Sequence, residues 1–88
     1  METKLEFEND RIRVLRVKHS GRELHAQTIK HDRLIIYLNE GHVRRAEGGK
    51  QQEIHHKAGD VVWKERSQHS IENLKDTPHE VLIVEFKS

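Results

Sequence analysis

Eighty-eight residues make one small domain, and 33% apolar against 35% charged residues give it a thin core and a heavily solvated outside. Sixteen Lys and Arg against fifteen Asp and Glu leave a formal net charge of +1, which excludes the dominant basic surface that nucleic-acid binding needs. The chain has no cysteine, so disulfides, thiolate metal sites and a cysteine nucleophile are all ruled out. Its first residues, Met1-Glu2-Thr3-Lys4-Leu5-Glu6, contain no apolar signal region, and no run approaches the roughly 18 residues of a membrane span. A cytoplasmic protein without membrane or nucleic-acid partners is expected.

The apolar residues alternate or fall in short runs, which is a strand signal. In chain order the expected strands cover residues 11–18, 34–38, 42–46, 51–56, 61–63, 69–74 and 81–86. Glu47-Gly48-Gly49-Lys50 supplies the positive φ of a hairpin turn between the third and fourth of these. Gly59-Asp60 and Lys75-Asp76-Thr77-Pro78 mark further turns. No stretch sustains helical periodicity, and about seven strands with turns every 8–12 residues indicate an all-β sandwich or barrel. One domain, 1–88, is expected, with the barrel over about 11–87 and an extended segment over 1–10. A core this small gains from association, so a homodimer is expected, with 11–18 and 81–86 as outer strands pairing sheets across a two-fold axis.

Gly59-Asp60-Val61-Val62-Trp63 followed by His69-Ser70-Ile71-Glu72-Asn73 resembles the second signature of the cupin superfamily. The likeness extends over residues 11–87 and is greatest to small single-domain cupins, though the intervening turn, Lys64-Glu65-Arg66-Ser67, lacks the usual proline. It implies a double-stranded β-helix, a jelly-roll-like barrel in which the residue at His69 is a metal ligand. The first cupin signature has the form G-x5-H-x-H-x3-E-x6-G. With its last glycine at Gly41, counting back without gaps puts Leu34 at the glutamate and Thr28 and Lys30 at the two histidines, with Gly21 one residue out of register. In this frame alternation sets Thr28, Lys30, Leu34, Ile36 and Leu38 on the interior face.

Thr28, Lys30 and Leu34 facing His69 offer no cage for a divalent ion, which needs several imidazoles or carboxylates. The resemblance then implies a barrel that has lost its metal, with no cofactor, binding a small anion among Thr28, Lys30, Leu34, Ile36 and His69. Lys30 either stands where the metal would have stood or reaches the barrel rim and water, the second being the plainer reading. A shifted frame stays open. His25, Gln27 and His31 copy the H-x-H-x3-E spacing three residues early, and with His69 they would hold one Fe, Mn, Ni or Zn ion in a metal-dependent isomerase or dioxygenase. That odd shift turns the opposite side chains inward. A third reading is metal-free acid–base chemistry by Lys30 or His69, which needs a pKa displaced toward neutrality. Whether the chain is an enzyme is left open, with binding favoured.

Other residues have quieter expectations. Asn73 is read as fixing the turn after its strand, and His19, His42 and His79 as exposed near turns. His55 and His56 are adjacent on a strand and point to opposite faces. His31 beside Asp32 reads as a surface ion pair, Arg44-Arg45 as a solvated strand face, and Trp63 as core or interface.

Overall fold

The computed structural model describes residues 1–87. They form the strands β1 (Glu2–Glu8), β2 (Ile12–His19), β3 (Leu24–Ile29), β4 (Arg33–Tyr37), β5 (Gly41–Glu47), β6 (Lys50–His56), β7 (Val61–Lys64), β8 (Ser67–Asn73) and β9 (His79–Phe86). All pairings are antiparallel. One sheet runs β1-β2-β9-β4-β7 and the other β3-β8-β5-β6. Among the described residues no helix is long and apolar enough to cross a membrane.

The seven strands expected from apolar alternation all form, with ends moved by at most two residues. Glu47 pairs with Lys50, so Gly48 and Gly49 make a two-residue hairpin loop. Their φ values of 58° and 80° are what a type I′ turn demands and what glycine adopts without penalty.

Two further strands correct the expected organisation. Residues 2–8 do not lie outside the barrel but pair along β2 as β1. Every β1 residue is exposed, so no buried face imposes an apolar period on its sequence; the ladder to β2 holds it. A bulge between Leu5 and Phe7 and its charged side chains blunt it as an edge. β2 and β9 are therefore interior strands of the sheet, not its outer ones; the edges are β1 and β7. β3 is the second addition. It turns His25, Gln27 and Ile29 inward and exposes Leu24, Ala26 and Thr28, an inversion of the usual polar-out pattern that hides it from hydrophobic alternation.

The core is small. Val17, Tyr37 and Val81 are buried together, with Leu15, Ile35, Val62 and Ile83 packed on them between the sheets. β4 (Arg-Leu-Ile-Ile-Tyr) and β9 (His-Glu-Val-Leu-Ile-Val-Glu-Phe) place apolar side chains on both faces. Their inner set closes the barrel.

Candidate functional site

Between the sheets lies a cavity of about 60 Å³. Strand register divides its walls into two ends. Arg33 lies opposite Lys64 on one side and Glu85 on the other, and Gln27 opposite His69. Four residues further along β4, Tyr37 lies opposite Val81, and His19 opposite His79. Ile35, Ile54, Ile71 and Ile83 line the space between.

The first end is cationic. Arg33 is only 3% exposed and its Nε has no partner, while an Nη1 hydrogen donates weakly to the Glu65 carbonyl at 3.4 Å. Arg45, its side chain 13% exposed, donates to Glu47 Oε1 at 3.2 Å and to Ser67 Oγ at 3.2 Å. Lys64 completes the group. Burial, then Arg45 and Arg33, pull the Lys64 ammonium below its ordinary pKa, and burial followed by Arg45 does the same to Arg33. His69, buried with Nδ1 3.0 Å from Ser67 Oγ, is pushed down to about 4 by burial and then by Arg45 and Arg33. It is a neutral ring in a positive field. Three fixed cations with a free donor, against the two carboxylates Glu47 and Glu85, attract an anion.

The second end is aromatic. Tyr37 stacks on His56 at 3.7 Å between centroids and faces His79 at 5.5 Å, and His79 lies 6.5 Å from His19. His19 Nδ1 and His79 Nε2 are buried without partners. Burial pushes His79 down to about 4, lowers His19, and raises the Tyr37 phenol to about 12. Asn73, 1% exposed, donates from Nδ2 to the carbonyls of Ser20 (3.1 Å) and Thr77 (2.9 Å) and accepts from Lys75 N–H at 3.0 Å. It ties the chain after β8 to the turn before β3.

Two open clefts adjoin the cavity. One, of about 340 Å³, shares Gln27 and His69 with it and is rimmed by Thr28, Glu47, Gly48, Gly49 and Gln68. The other, of about 300 Å³, shares Gln27, Arg33 and Ile83 and is rimmed by Met1, Thr3 and His25.

No family model matches this chain, and no curated protein matches it in sequence. Solved structures do match. A cupin domain from Bordetella pertussis Tohama I superposes with a TM-score of 0.91 at 15% identity, over 99% of this chain and 93% of that one. The fold is that of a cupin. The cupin domain of Cnp3 from Schizosaccharomyces pombe follows at a TM-score of 0.75 and 13% identity, over 98% of this chain and 64% of that one. The Cupin_2 domain of an XRE-family transcriptional regulator from Enterobacter cloacae gives 0.74 at 12% identity, over 99% and 97%. Identities this low carry the fold alone.

Within the cupin barrel the expected frame of the first signature is corrected. Thr28 and Lys30 are exposed, and Thr28 reaches only the clefts at the mouth. Lys30, Leu34 and Ile36 are absent from the cavity wall, whose β4 residues are Arg33, Ile35 and Tyr37. Leu34 and Ile36 point to the other side of the sheet. Of the expected ligand-binding set only His69 lines the cavity. The physical reason is one extra residue in the turn Leu38-Asn39-Glu40 before Gly41. Counting forward from Gly21 instead places Gln27, Ile29 and Arg33 at the histidine and glutamate positions, all with inward parity.

The shifted frame fares partly better. Gln27 and His69 are direct cross-strand partners, and His25 pairs with Ile71 one step along the same face. His31 lies in the connection after β3, not on the cavity wall. Among the described residues no three His, Cys, Asp or Glu side chains gather as a metal-binding group. The donors at the cationic end, one imidazole and one amide beside two guanidiniums and an ammonium, do not fit a divalent cation.

Arg33, Arg45, Lys64, His19 and His79 are the cavity residues that sequence reasoning missed. His19 and His79 are 8% and 4% exposed, not exposed as expected. Arg44 does face outward, to Glu72 and Glu53, while Arg45 turns in. Strand parity held the signal: Arg45 shares a face with Val43, and Arg33 with Ile35 and Tyr37.

Proposed function

We propose that this cupin barrel is a binding module for a small anionic metabolite, a carboxylate above all, and that it works without a metal cofactor. The observation that carries the reading is Arg33, a buried guanidinium at the cavity wall with a donor left free, flanked by Arg45 and Lys64. A guanidinium there meets a carboxylate with charge-assisted hydrogen bonds. Gln27 and neutral His69 add polar contacts beside it. A cavity of about 60 Å³ suits the charged head alone, and the adjoining clefts suit the rest of a small acid.

The arrangement favours binding over acid–base catalysis. A ring held near 4, as His69 is, is a weak base at neutral pH, and Lys30 stands outside in water.

The test is NMR titration of the tag-free protein with formate, acetate, oxalate and inorganic phosphate, using chloride as control. Saturable shifts at Gln27, Arg45 and His69 with a Kd of about 1 mM or tighter, weakened about tenfold or more by Lys64→Met, are expected. No shift with any of these anions overturns the reading. So does stoichiometric Fe, Mn, Ni or Zn in the purified protein that is lost in His69→Ala.

A further inference from the structure

The two acids at the cationic end are not equivalent. Glu85 lies opposite Arg33 in the ladder, but its carboxylate accepts a hydrogen from Arg13 Nε at 3.2 Å, and its side chain is 12% exposed. It is fixed and already paired. Glu47 ends β5 on the same parity as Val43 and Arg45, so the strand carries it to the barrel mouth. Its side chain is 49% exposed, and among the described residues its one ion pair is with Arg45, at 3.2 Å. Arg45 Nη2 is shared between that carboxylate and Ser67 Oγ, which in turn lies 3.0 Å from His69 Nδ1. Burial, then Arg45 and Arg33, lower both Lys64 and His69, and Glu47 is the acid that opposes them.

The cleft of about 340 Å³ beside the cavity supplies a second observation. Among the residues that line it Glu47 is the one charged side chain, and Gln27, Thr28, Gln68 and Ser70 give it neutral polar walls.

We infer that Glu47 is a specificity-determining residue of this site, favouring ligands with a single carboxylate and an uncharged polar body over dianions. The inference rests on the anion-binding reading above. A cavity of about 60 Å³ takes one charged head, so a second anionic group is left in the cleft, where the fixed charge is negative. A second carboxylate also needs a second guanidinium, and Glu47 already holds Arg45. One carboxylate is met by Arg33 and Lys64 with that pair intact. Repulsion by Glu47 scales with the charge of the ligand, so it weighs more on a dianion than on a monoanion. A like charge built into the mouth thus selects by exclusion.

The test compares wild type, Glu47→Gln and Glu53→Gln in NMR titrations with acetate and oxalate at pH 7 and constant ionic strength. Glu47→Gln is isosteric at a half-exposed site, and circular dichroism checks that the fold is kept. It is expected to tighten acetate about threefold and oxalate about tenfold, so that the preference for oxalate over acetate rises about threefold. Glu53→Gln removes the same charge from the outward face of the same hairpin, where Glu53 meets Arg44 at 3.4 Å, and is expected to leave that preference unchanged. An unchanged or smaller ratio in Glu47→Gln overturns the inference, as does an equal rise in Glu53→Gln. Failure of the anion-binding reading looks different: wild type then shows no saturable shift with either anion. Oxalate binding gained by Glu47→Gln in that case still supports the role of Glu47, and its absence overturns that role too.

Discussion

The His79 imidazole lies in the space that a side chain on Gly41 would fill. The ring is held there from its other side by Tyr37, at 14° between planes. Gly41 opens β5 directly after the turn that carries the extra residue, so the backbone at this point is pressed against the barrel's aromatic end. The glycine is required for close approach and not for its φ.

Gly41→Ala is expected to lower stability by about 1–3 kcal/mol, the cost of forcing a methyl into a filled site. His79→Ala alone opens a void and also destabilises. The double variant should cost less than the sum, because the small residue at 79 leaves room for the new methyl. Urea unfolding of the four proteins measures the coupling; strict additivity would break the link between the two residues.

Acid should unfold this barrel earlier than its net charge suggests. His69 and His79 sit near 4 in the fold against about 6.5 in an unfolded chain. The unfolded state therefore takes up protons first as pH falls. The stabilisation from keeping these rings neutral is complete above about pH 6.5 and is lost progressively toward 4, on the order of 3 kcal/mol for each. Melting temperature followed from pH 7.5 to 4.5, a range set by those shifts, is expected to fall throughout. In His69→Gln the fall should be shallower. A flat profile for wild type would contradict the buried neutral state.

Strands with an apolar inner face were legible because burial writes a period of two into the sequence. That is why β2 and β4 through β9 could be read and β1, exposed along its length, could not. The site was harder for the same reason in reverse. Its useful residues, Gln27, Arg33, Arg45 and Lys64, are polar side chains on inward positions, where alternation expects apolar ones. The fold could be recognised from Gly59, His69 and Asn73, yet the cavity set turned on a single residue in the turn 38–40. An error of one in register exchanges every side chain between the two faces of a strand. Asn73 was read as structural, and its three hydrogen bonds to the backbone of Ser20, Lys75 and Thr77 bear this out.

The cationic end should behave as an unsatisfied charge cluster when empty. Replacing Arg33 by Met removes a buried guanidinium whose Nε is unpaired and relieves its repulsion with Arg45. The variant is expected to be as stable as wild type in dilute buffer or more so, since a well-packed apolar side chain can outdo a poorly compensated buried charge. Wild type should gain melting temperature on adding a bound carboxylate, and Arg33→Met should gain none. Differential scanning fluorimetry with and without the anion reads both effects. A severe loss of stability in Arg33→Met would instead mark Arg33 as a structural tie through the Glu65 carbonyl.

Asn73 offers the sharpest structural test. Its amide satisfies two carbonyls and one N–H from three separate points of the chain, at 1% exposure. Asn73→Ala leaves these groups without partners inside the protein and is expected to cost about 3 kcal/mol. Asn73→Asp keeps the shape and the acceptor for Lys75 N–H but brings oxygen against the carbonyls of Ser20 and Thr77. It should therefore be at least as damaging as alanine at neutral pH and should improve as acid protonates the new carboxyl, the opposite slope to wild type. Urea midpoints for the two variants at pH 7 and at pH 5, the window in which such a carboxyl with a raised pKa titrates, decide it. If Asn73→Asp were as stable as wild type at pH 7, the two donated bonds would contribute nothing to holding β8 against the turn before β3.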